Sequence, residues 1–341
     1  MDKRCVILAV AGCLAASTVG WAFDTVKTTE DSILGTVQKT HPLQVTVEQG
    51  AITKEVAVNE IEAIYYDGEP ALLKTARTAI PAGRYEDAVA ALEKIKLDDV
   101  SRLEIKQDID FYKALARARI ALAGTDEETV KEAGKLMAAF VKGHTASYHY
   151  LEACEVLGNL YVAIGQSAAA QAYYAQLAKA PWPDYKMRAG VALGNAQLAE
   201  GETAVALKSF QDVLDTEAQG ELADRQRLAA TLGKGQCLAE TNQDEAVKLV
   251  EGVIDKANPE QIELHARAYN TLGLAHRKAG RTKDALLAFL HVDILYFSSP
   301  KDHIEALQNL IELWNEVQNP ERAADAAQIL SDQYKRSPRS N

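Results

Sequence analysis

The chain has 341 residues and a mass of 37.1 kDa, with 48% hydrophobic, 25% charged and 6% aromatic residues. This hydrophobic fraction excludes wholesale disorder. Because so few residues are aromatic, the core is expected to consist largely of Ala, Leu and Val, which favours closely packed helices. The 37 Lys and Arg against 48 Asp and Glu give a net charge of −11. An acidic chain argues against nucleic acid or an anionic membrane surface as the main partner.

Residues 1–22 have the pattern of a secretory signal peptide. A short basic start precedes an apolar run, and Gly20 and Ala22 take the −3 and −1 positions of a cleavage site before Phe23. Acidic and basic residues follow at once, which makes a transmembrane helix the weaker interpretation. The sequence therefore predicts an exported protein, periplasmic or extracellular, with no membrane span in the mature chain.

A second export signal overlaps the first. Residues 10–13, Val-Ala-Gly-Cys, resemble a bacterial lipobox, in which Cys13 would be lipidated and become the new N-terminus. Residues 14–23 stay apolar where a lipoprotein usually has a polar tether, which favours the cleaved form. A lipid anchor at Cys13 remains the alternative, and both interpretations place the protein outside the cytoplasm.

Two of the four cysteines lie within residues 1–22, which leaves Cys154 and Cys237. Both occupy apolar positions of predicted helices and fall in different repeats, so we expect two small buried thiols and no disulfide between them. Neither a disulfide framework nor a zinc-binding spacing is present.

Residues 23–68 have the period-two alternation of short β-strands. In the segment 43–47, Leu43, Val45 and Val47 face one way while the polar residues between them face the other. Further strands are predicted at 33–37, 56–58 and 61–66, separated by turn signals. Four or five short antiparallel strands suggest a small curled sheet similar in pattern to SH3-like or Sm-like barrels. A module of this size needs to dock on its neighbour.

After residue 68 the hydrophobic period changes to 3.6 and the sequence repeats itself. A Leu-Gly pair recurs every 36 to 40 residues, and each pair is followed by a turn, by an Ala and, four residues later, by a large residue. The glycines of the pairs are Gly158, Gly194, Gly233 and Gly273, and the later residues are Ala170 and Tyr174, Ala206 and Phe210, Ala246 and Val250, and Ala285 and Phe289. The third repeat has one extra residue between its Leu-Gly pair and its Ala.

These motifs resemble the tetratricopeptide repeat, in which two antiparallel helices carry Leu-Gly and an aromatic residue in the first helix and Ala, an aromatic residue and Pro in the second. Tyr161, Pro181, Pro259 and Pro300 match further positions of that pattern. The resemblance implies a mainly α fold, an α-solenoid of about seven helical hairpins over residues 69–338. The family's first-helix Trp is absent and several units depart from its usual length.

Sequence motifs for catalysis are absent. There is no P-loop, dinucleotide fingerprint, nucleophile elbow or HExxH zinc motif. His144 and His149 are five residues apart, which places them on different helical faces, so we interpret them as exposed loop residues. His265 and His276 lack an obvious third ligand. We therefore expect a protein that is not an enzyme and needs no cofactor or metal.

The concave surface of the solenoid is the predicted binding site. In tetratricopeptide repeats, positions 2, 5, 9 and 12 of the first helix line the ligand groove. Counted from the Leu-Gly pairs, the polar residues that carry our prediction are Asn159, Arg188, Asn195, Arg227, Lys234, Arg267, Asn270 and Arg277. Arg recurs at position 2 in three successive repeats, which resembles part of the carboxylate clamp of chaperone-binding family members. Glu155 stands where a clamp Lys would be expected, and the plain alternative is that exposed helix faces simply need polar residues.

The combined expectation is an exported, non-catalytic scaffold that binds a partner protein or peptide in its concave groove, and that does not bind nucleic acid. The alternative is a lipid-anchored structural subunit of an envelope or secretion assembly. The state of the N-terminus, cleaved before Phe23 or lipidated at Cys13, separates the two.

Overall fold

The computed structural model describes residues 23–124 and 126–334. Over these ranges the chain forms a five-stranded antiparallel sheet followed by fourteen α-helices. This is the mainly α architecture with a small N-terminal β module that the sequence predicts. The predicted signal peptide with Cys13, and the basic tail at 335–341, lie outside the described residues.

The sheet is a meander whose last strand returns to its first. Its strands are β1 (Asp24–Thr28), β2 (Ser32–Thr40), β3 (Gln44–Gln49), β4 (Ile52–Ala57) and β5 (Ile61–Tyr65), in the spatial order β4-β3-β2-β1-β5. The predicted alternation is present in β3, where Val45 and Val47 are buried and Glu48 is exposed. Val58, predicted as a strand residue, instead begins a short 3-10 helix (Val58–Glu60) that connects β4 to β5.

The helices pair into seven consecutive antiparallel hairpins, as the repeats predict. They are α1 (Ala71–Ala79) with α2 (Tyr85–Glu93), α3 (Leu103–Ala123) with α4 (Glu127–Gly143), α5 (Tyr150–Ala163) with α6 (Ser167–Leu177), α7 (Pro183–Ala199) with α8 (Thr203–Leu214), α9 (Glu221–Leu238) with α10 (Gln243–Lys256), α11 (Ile262–Lys278) with α12 (Thr282–Leu295), and α13 (Pro300–Glu316) with α14 (Pro320–Tyr334).

The first helices of neighbouring hairpins pack against one another, from α3 through α5, α7, α9 and α11 to α13. The second helices, α4 to α14, make at most marginal contacts with each other within the described part of the chain. Stacked hairpins with this asymmetry curve so that the first helices line the inner, concave side.

Small residues let the two helices of each hairpin approach closely. The repeated alanines Ala170, Ala206, Ala246 and Ala285 are completely buried, and the large residues one turn later, Tyr174, Phe210, Val250 and Phe289, are at most 2% exposed. The glycine of the Leu-Gly pair lies directly against the large residue of its own hairpin in three of the four repeats. The alanine and glycine content of the chain therefore serves close helix packing.

Phe210 is held between two glycines of different hairpins. A methyl group added to Gly194 of α7 would lie 2.6 Å from the ring, and one added to Gly233 of α9 would lie 2.3 Å from it. Gly194 belongs to the Leu-Gly pair of the same hairpin as Phe210, and Gly233 belongs to the Leu-Gly pair of the next hairpin. The ring thus fills the space between consecutive hairpins on both of its sides.

Buried charged groups join the sheet to the first hairpins. The Arg102 guanidinium, just before α3, donates to both carboxylate oxygens of Asp24 in β1, at 2.8 and 2.9 Å, and also to the Val37 carbonyl. Asp24 is 1% exposed and also accepts from the backbone N–H groups of Val37 and Asp67. One hydrophobic core includes sheet residues and helix residues as far as Leu160, so the β module is docked as predicted.

A second group of charged residues, centred on Arg77, is buried. Arg77 of α1 donates to Glu69 and to Asp108 of α3, each at 2.6 Å, and Asp108 is 1% exposed.

His149, at the start of α5, stacks on Phe111 with ring centroids 3.8 Å apart. His149 is therefore buried, and the interpretation of it as an exposed loop residue is wrong. The aromatic surroundings built by tertiary packing account for the difference.

Candidate functional site

The centre of the concave surface is organised by Arg267 of α11. One nitrogen of its guanidinium, Nη2, lies 3.3 Å from Asn195 Oδ1 of α7 and 3.3 Å from Gln236 Oε1 of α9. Three first helices thus converge on one side chain, which bridges residues two hairpins apart in the chain. We call this group the Arg267 cluster: Asn195, Gln236 and Arg267.

The structure brings together two of the predicted groove residues, Asn195 and Arg267, and adds Gln236, which the repeat alignment missed. In α9 the glycine that packs against the hairpin's own second helix is Gly235, whose added methyl would lie 2.7 Å from Val250. Gly233, which the alignment placed in that role, instead faces Phe210. The extra residue in the third repeat was the one sequence signal that α9 is turned relative to its neighbours.

Two other predicted residues, Arg227 and Lys234, lie on a different side of α9. The Lys234 ammonium contacts Gln211 Oε1 of α8 at 3.2 Å and lines a shallow cleft beside that helix. Positions 234 and 236 are about 200° apart around a helix, so Lys234 points away from the Arg267 cluster. Arg227 donates to the Ala218 carbonyl and pairs with Asp224 at 2.9 Å.

Two predicted residues face α13, the first helix of the last hairpin. Asn270 of α11 is 2% exposed, and its Nδ2 donates to the Asp302 carbonyl at 2.8 Å. Arg277 pairs with Glu312 and Glu316 at 2.7 and 2.8 Å and donates to Asn309 at 3.1 Å. The charge of Arg277 is therefore already neutralised within the protein.

The predicted residues at the other end of the groove, Asn159 and Arg188, also bond other side chains of the protein. Arg188 of α7 forms an ion pair with Glu155 of α5 and lies over the Tyr185 ring, 4.9 Å from its centroid. Burial opposes the charge of Arg188, but Glu155, with further contributions from Tyr185 and Glu152, raises the pKa of the guanidinium above its ordinary value. Asn159 Oδ1 accepts from the Tyr174 hydroxyl at 2.8 Å. Glu155, at the position where a clamp Lys was expected, is thus already ion-paired with Arg188.

Arg267 differs from Arg188, Arg227 and Arg277 in its partners. Within the part of the chain that the structure describes, no carboxylate lies within 4.0 Å of its guanidinium, and its hydrogen-bond partners are neutral amides. A partly buried cation without a close counterion favours an incoming anion or carbonyl oxygen. The Arg267 cluster is therefore the part of the groove best suited to bind a ligand.

Two acidic residues border the cluster on α13. Burial raises the pKa of Asp302, and it raises the pKa of Glu305 with a further contribution from the Asp302 charge, while Arg267 acts in the opposite direction on both. Asp302 accepts a hydrogen bond from Ser299 at 2.5 Å. Asn270 Oδ1 is buried and has no hydrogen-bond partner among the described residues. The hydrogen-bond acceptors Asp302, Glu305 and Asn270 Oδ1 thus lie on the side of the Arg267 cluster that faces α13.

The described residues contain no group of three or more His, Cys, Asp or Glu that could hold a metal ion. No helix over 23–124 and 126–334 is long and apolar enough to cross a membrane. Cys154 and Cys237 are free and buried, as expected.

Comparison with known proteins identifies the fold. No protein-family model matches the chain, and no curated protein matches it in sequence. Among solved structures, a tetratricopeptide repeat protein from Parabacteroides merdae is similar at a TM-score of 0.52 and 15% identity, over 77% of this chain and 91% of that one. A monomeric mutant of IFIT1 with Gppp-AAAA is similar at a TM-score of 0.51 and 16% identity, over 77% of this chain and 59% of that one.

Both similarities cover most of the described helices at low sequence identity. The chain therefore has the fold of a tetratricopeptide-repeat-like solenoid, the class of protein that the Leu-Gly and Ala motifs predicted. Solenoids of this kind present an extended concave surface.

Proposed function

We propose that this protein is a non-catalytic, exported scaffold that binds an extended segment of a partner protein in its concave groove, at the Arg267 cluster. The observation that carries the proposal is the Arg267 guanidinium, a groove cation joined to two amides instead of a carboxylate. Solenoids of stacked hairpins use such concave surfaces for extended ligands.

The two amides are oriented by Arg267. Because Asn195 Oδ1 and Gln236 Oε1 face the guanidinium, each side chain keeps an NH₂ group with two donors, for which no partner exists among the described residues. An extended peptide presents backbone carbonyls at regular intervals, and amides on successive helices can donate to them. Arg267 supplies the charge for a carboxylate of the same peptide.

The acidic side of the cluster suggests a second requirement. Asp302 and Glu305 lie on α13 and are partly or fully buried, so a ligand that brings N–H donors or a positive charge would stabilise their ionised forms. The preferred ligand is therefore a peptide that offers acceptors toward α7 and α9 and donors toward α13.

Selection from a random peptide library, followed by fluorescence anisotropy on the enriched peptides, tests this function. Arg267→Gln removes the charge while keeping a planar polar group, and should weaken binding about 10-fold or more, the value of one hydrogen bond to a charged group. Arg227→Gln is the matched control, because Arg227 belongs to the same helical repeat position but lies away from the cluster. No enriched peptide, or equal affinity in the two variants, would contradict the proposal.

Export is part of the proposal and has its own test. The intact mass of the protein recovered from a cell envelope should correspond to a chain that begins at Phe23. A diacylated chain that begins at Cys13 would instead support the lipid-anchored subunit, and retention of residues 1–22 in a cytoplasmic protein would exclude both.

A further inference from the structure

Two shallow clefts lie on the side of α9 that faces the second helices α8 and α10. One is lined by Lys234 of α9 and by residues of α8, and the other by Leu228 and Thr231 of α9 and by residues of α10. Positions 228, 231 and 234 fall within about 120° of one another around a helix, so both clefts adjoin one stripe of α9. We call this stripe, with its walls on α8 and α10, the α9 cleft.

A glycine keeps the α10 wall of the cleft open. A methyl group added to Gly252, inside α10, would meet no atom within 4 Å. Aligned on the repeated alanines, its position holds Gln176 in α6, Asp212 in α8 and His291 in α12, so the repeat does not require glycine there. Glycine is unfavourable inside a helix and often marks a close approach of another group to the backbone. The α8 and α10 walls also make at most marginal contacts with each other.

The floor of the cleft is apolar and elongated. Leu207, Leu228 and Leu249 are half-buried, and Val253 is buried beneath them. The two clefts have volumes of 310 and 320 Å³, close to the lower limit for a small-molecule pocket. The α10 wall extends over positions 245–256, which is roughly 16 Å or three helical turns. An elongated ligand that contacts both clefts therefore fits better than a compact one.

Three lysines of the cleft have no counterion. Lys248 and Lys256 of the α10 wall are exposed, and in the described part of the chain neither has a carboxylate within 4.0 Å. The Lys234 ammonium contacts the neutral Gln211 side chain at 3.2 Å. Unpaired ammonium groups beside an apolar floor favour a ligand that carries carboxylates next to an apolar face.

The acidic residues of the cleft already have partners. Asp212 of the α8 wall pairs with Lys208 at 2.6 Å, and Glu245 accepts from Asn242 Nδ2 at 2.8 Å. Asp215, one turn beyond the lined part of α8, accepts from the Gln211 side chain at 2.9 Å. The positive charge that remains unpaired is therefore concentrated on the α10 wall and on α9.

The other acidic residues of α10 face away from the cleft. Asp244 pairs with Arg281 of the next hairpin at 2.7 Å. Glu251 and Asp255 follow Asp244 by seven and eleven residues, so they share its face of the helix. The helix α10 thus has a basic face toward the cleft and an acidic face toward hairpin α11–α12.

We propose that the α9 cleft docks an amphipathic helix of a partner protein, whose acidic residues lie beside Lys248 and Lys256. Its apolar face, with anchors spaced three and four residues apart, packs on the leucines, as in other helix-in-groove complexes. The acidic residues belong on the side that faces α10, because the lysine of the α8 wall is already paired. The cleft and the Arg267 cluster share no residue, so this docking site does not depend on the function proposed above.

Selection from a library of helical peptides tests the proposal. Every peptide carries leucines at helical spacing, and the positions that flank them are glutamate, lysine or serine. The selected peptides should carry glutamate along one flank, and fluorescence anisotropy then measures their affinity for the variants. Gly252→Leu places a side chain in the cleft and should weaken binding by about 10-fold or more. The variant should be at least as stable as wild type, because Leu favours a helix over Gly.

Gly134→Leu is the matched control, because a methyl group added to Gly134, inside α4, would also meet no atom within 4 Å. This variant should bind like wild type. Lys248→Glu with Lys256→Glu should weaken binding by about 10-fold or more, and less at high salt, where charges are screened. Lys135→Glu with Lys142→Glu on α4 changes the net charge equally, away from the cleft, and should have little effect.

Several results would overturn the proposal. These are a selection that enriches no peptide, one that enriches lysine in place of glutamate, and a folded Gly252→Leu protein that binds as well as wild type. Circular dichroism and thermal melting check that the variants are folded. Arg267→Gln should leave the binding of the helical peptides unchanged. If Arg267→Gln abolishes this binding and Gly252→Leu does not, the helix belongs to the concave groove and the assignment to the α9 cleft is wrong.

Sedimentation velocity distinguishes the other possible occupant, a second copy of the chain. Wild-type self-association that Gly252→Leu abolishes, without binding of any helical peptide, would make the cleft an interface between copies and would exclude the partner helix. The function proposed for the Arg267 cluster has its own selected peptides and its own variant. Failure of one proposal therefore leaves the other intact.

Discussion

The same substitution, Gly to Ala, should have opposite effects at two positions of the solenoid. A methyl group at Gly233 would lie 2.3 Å from the Phe210 ring, whereas one at Gly252, within α10, would meet no atom within 4 Å. Both residues are interior to helices, where Ala is favoured over Gly by about 1 kcal/mol. The difference between the two variants therefore measures the packing around Phe210.

The magnitude follows from the two-sided confinement of the ring. Overpacking costs about 1–3 kcal/mol, and we expect about 3 kcal/mol here, because a ring that moves away from position 233 approaches Gly194, which is also in close contact. Subtracting the helix-propensity gain, Gly233→Ala should destabilise by about 2 kcal/mol. Gly252→Ala should stabilise by about 1 kcal/mol.

Urea unfolding followed by circular dichroism measures both values. The double variant Gly233→Ala with Phe210→Leu should recover part of the loss relative to the sum of its single variants, because the smaller side chain leaves room for the methyl group. A Gly233→Ala protein as stable as wild type would refute the reasoning, since it would mean that Phe210 does not fill the space between the two hairpins.

Three further predictions concern packing and protonation. Ala206→Trp should overfill the completely buried contact between α7 and α8 and destabilise by about 1–3 kcal/mol in the same urea assay; a neutral result would mean that the repeat positions are misassigned. Burial raises the pKa of the Cys154 and Cys237 thiols to about 11, so these two residues should react with a thiol reagent far more slowly in the folded protein than in the unfolded protein, and rapid labelling of either residue in the native state would contradict this. Burial also raises the pKa of Glu305, so the unfolded chain loses that proton first and stability falls as the pH rises above the ordinary glutamate pKa. Glu305→Gln should therefore stabilise the protein at neutral pH and change its stability little at a pH below the ordinary glutamate pKa. Melting curves of both proteins, recorded at neutral pH and at such an acidic pH, test this.

The fold could be predicted because it depends on short-range patterns. The Leu-Gly pairs and the alanines such as Ala206 specify where two helices of one hairpin touch, and neighbouring hairpins repeat the same contact. The alternation of Val45 and Val47 likewise marks the inner face of a strand. Patterns of this kind are local, so they can be read without knowledge of distant parts of the chain.

The candidate site was predictable in part. Asn195 and Arg267 were found from their repeat positions, because those positions normally face the groove. Gln236 was missed and Lys234 was misplaced relative to the cluster, since α9 is turned by the contact of Gly235 with Val250. The extra residue in the third repeat indicates that the repeat positions of α9 are shifted relative to α10. Which way they shift depends on whether Gly233 or Gly235 contacts α10, and the sequence does not specify this.

By itself the sequence determined the class of fold, the number of hairpins and the buried positions that an Ala-rich, aromatic-poor composition supplies. Tertiary structure alone decided which charges are free. Arg188, Arg227 and Arg267 share one repeat position in the sequence, yet Arg227 pairs within its own helix, Arg188 pairs with a residue of α5, and Arg267 bonds a residue of a helix two hairpins away. Ion pairing requires contact within a few ångströms. Contacts between segments distant in the sequence form only when the hairpins have stacked into the solenoid.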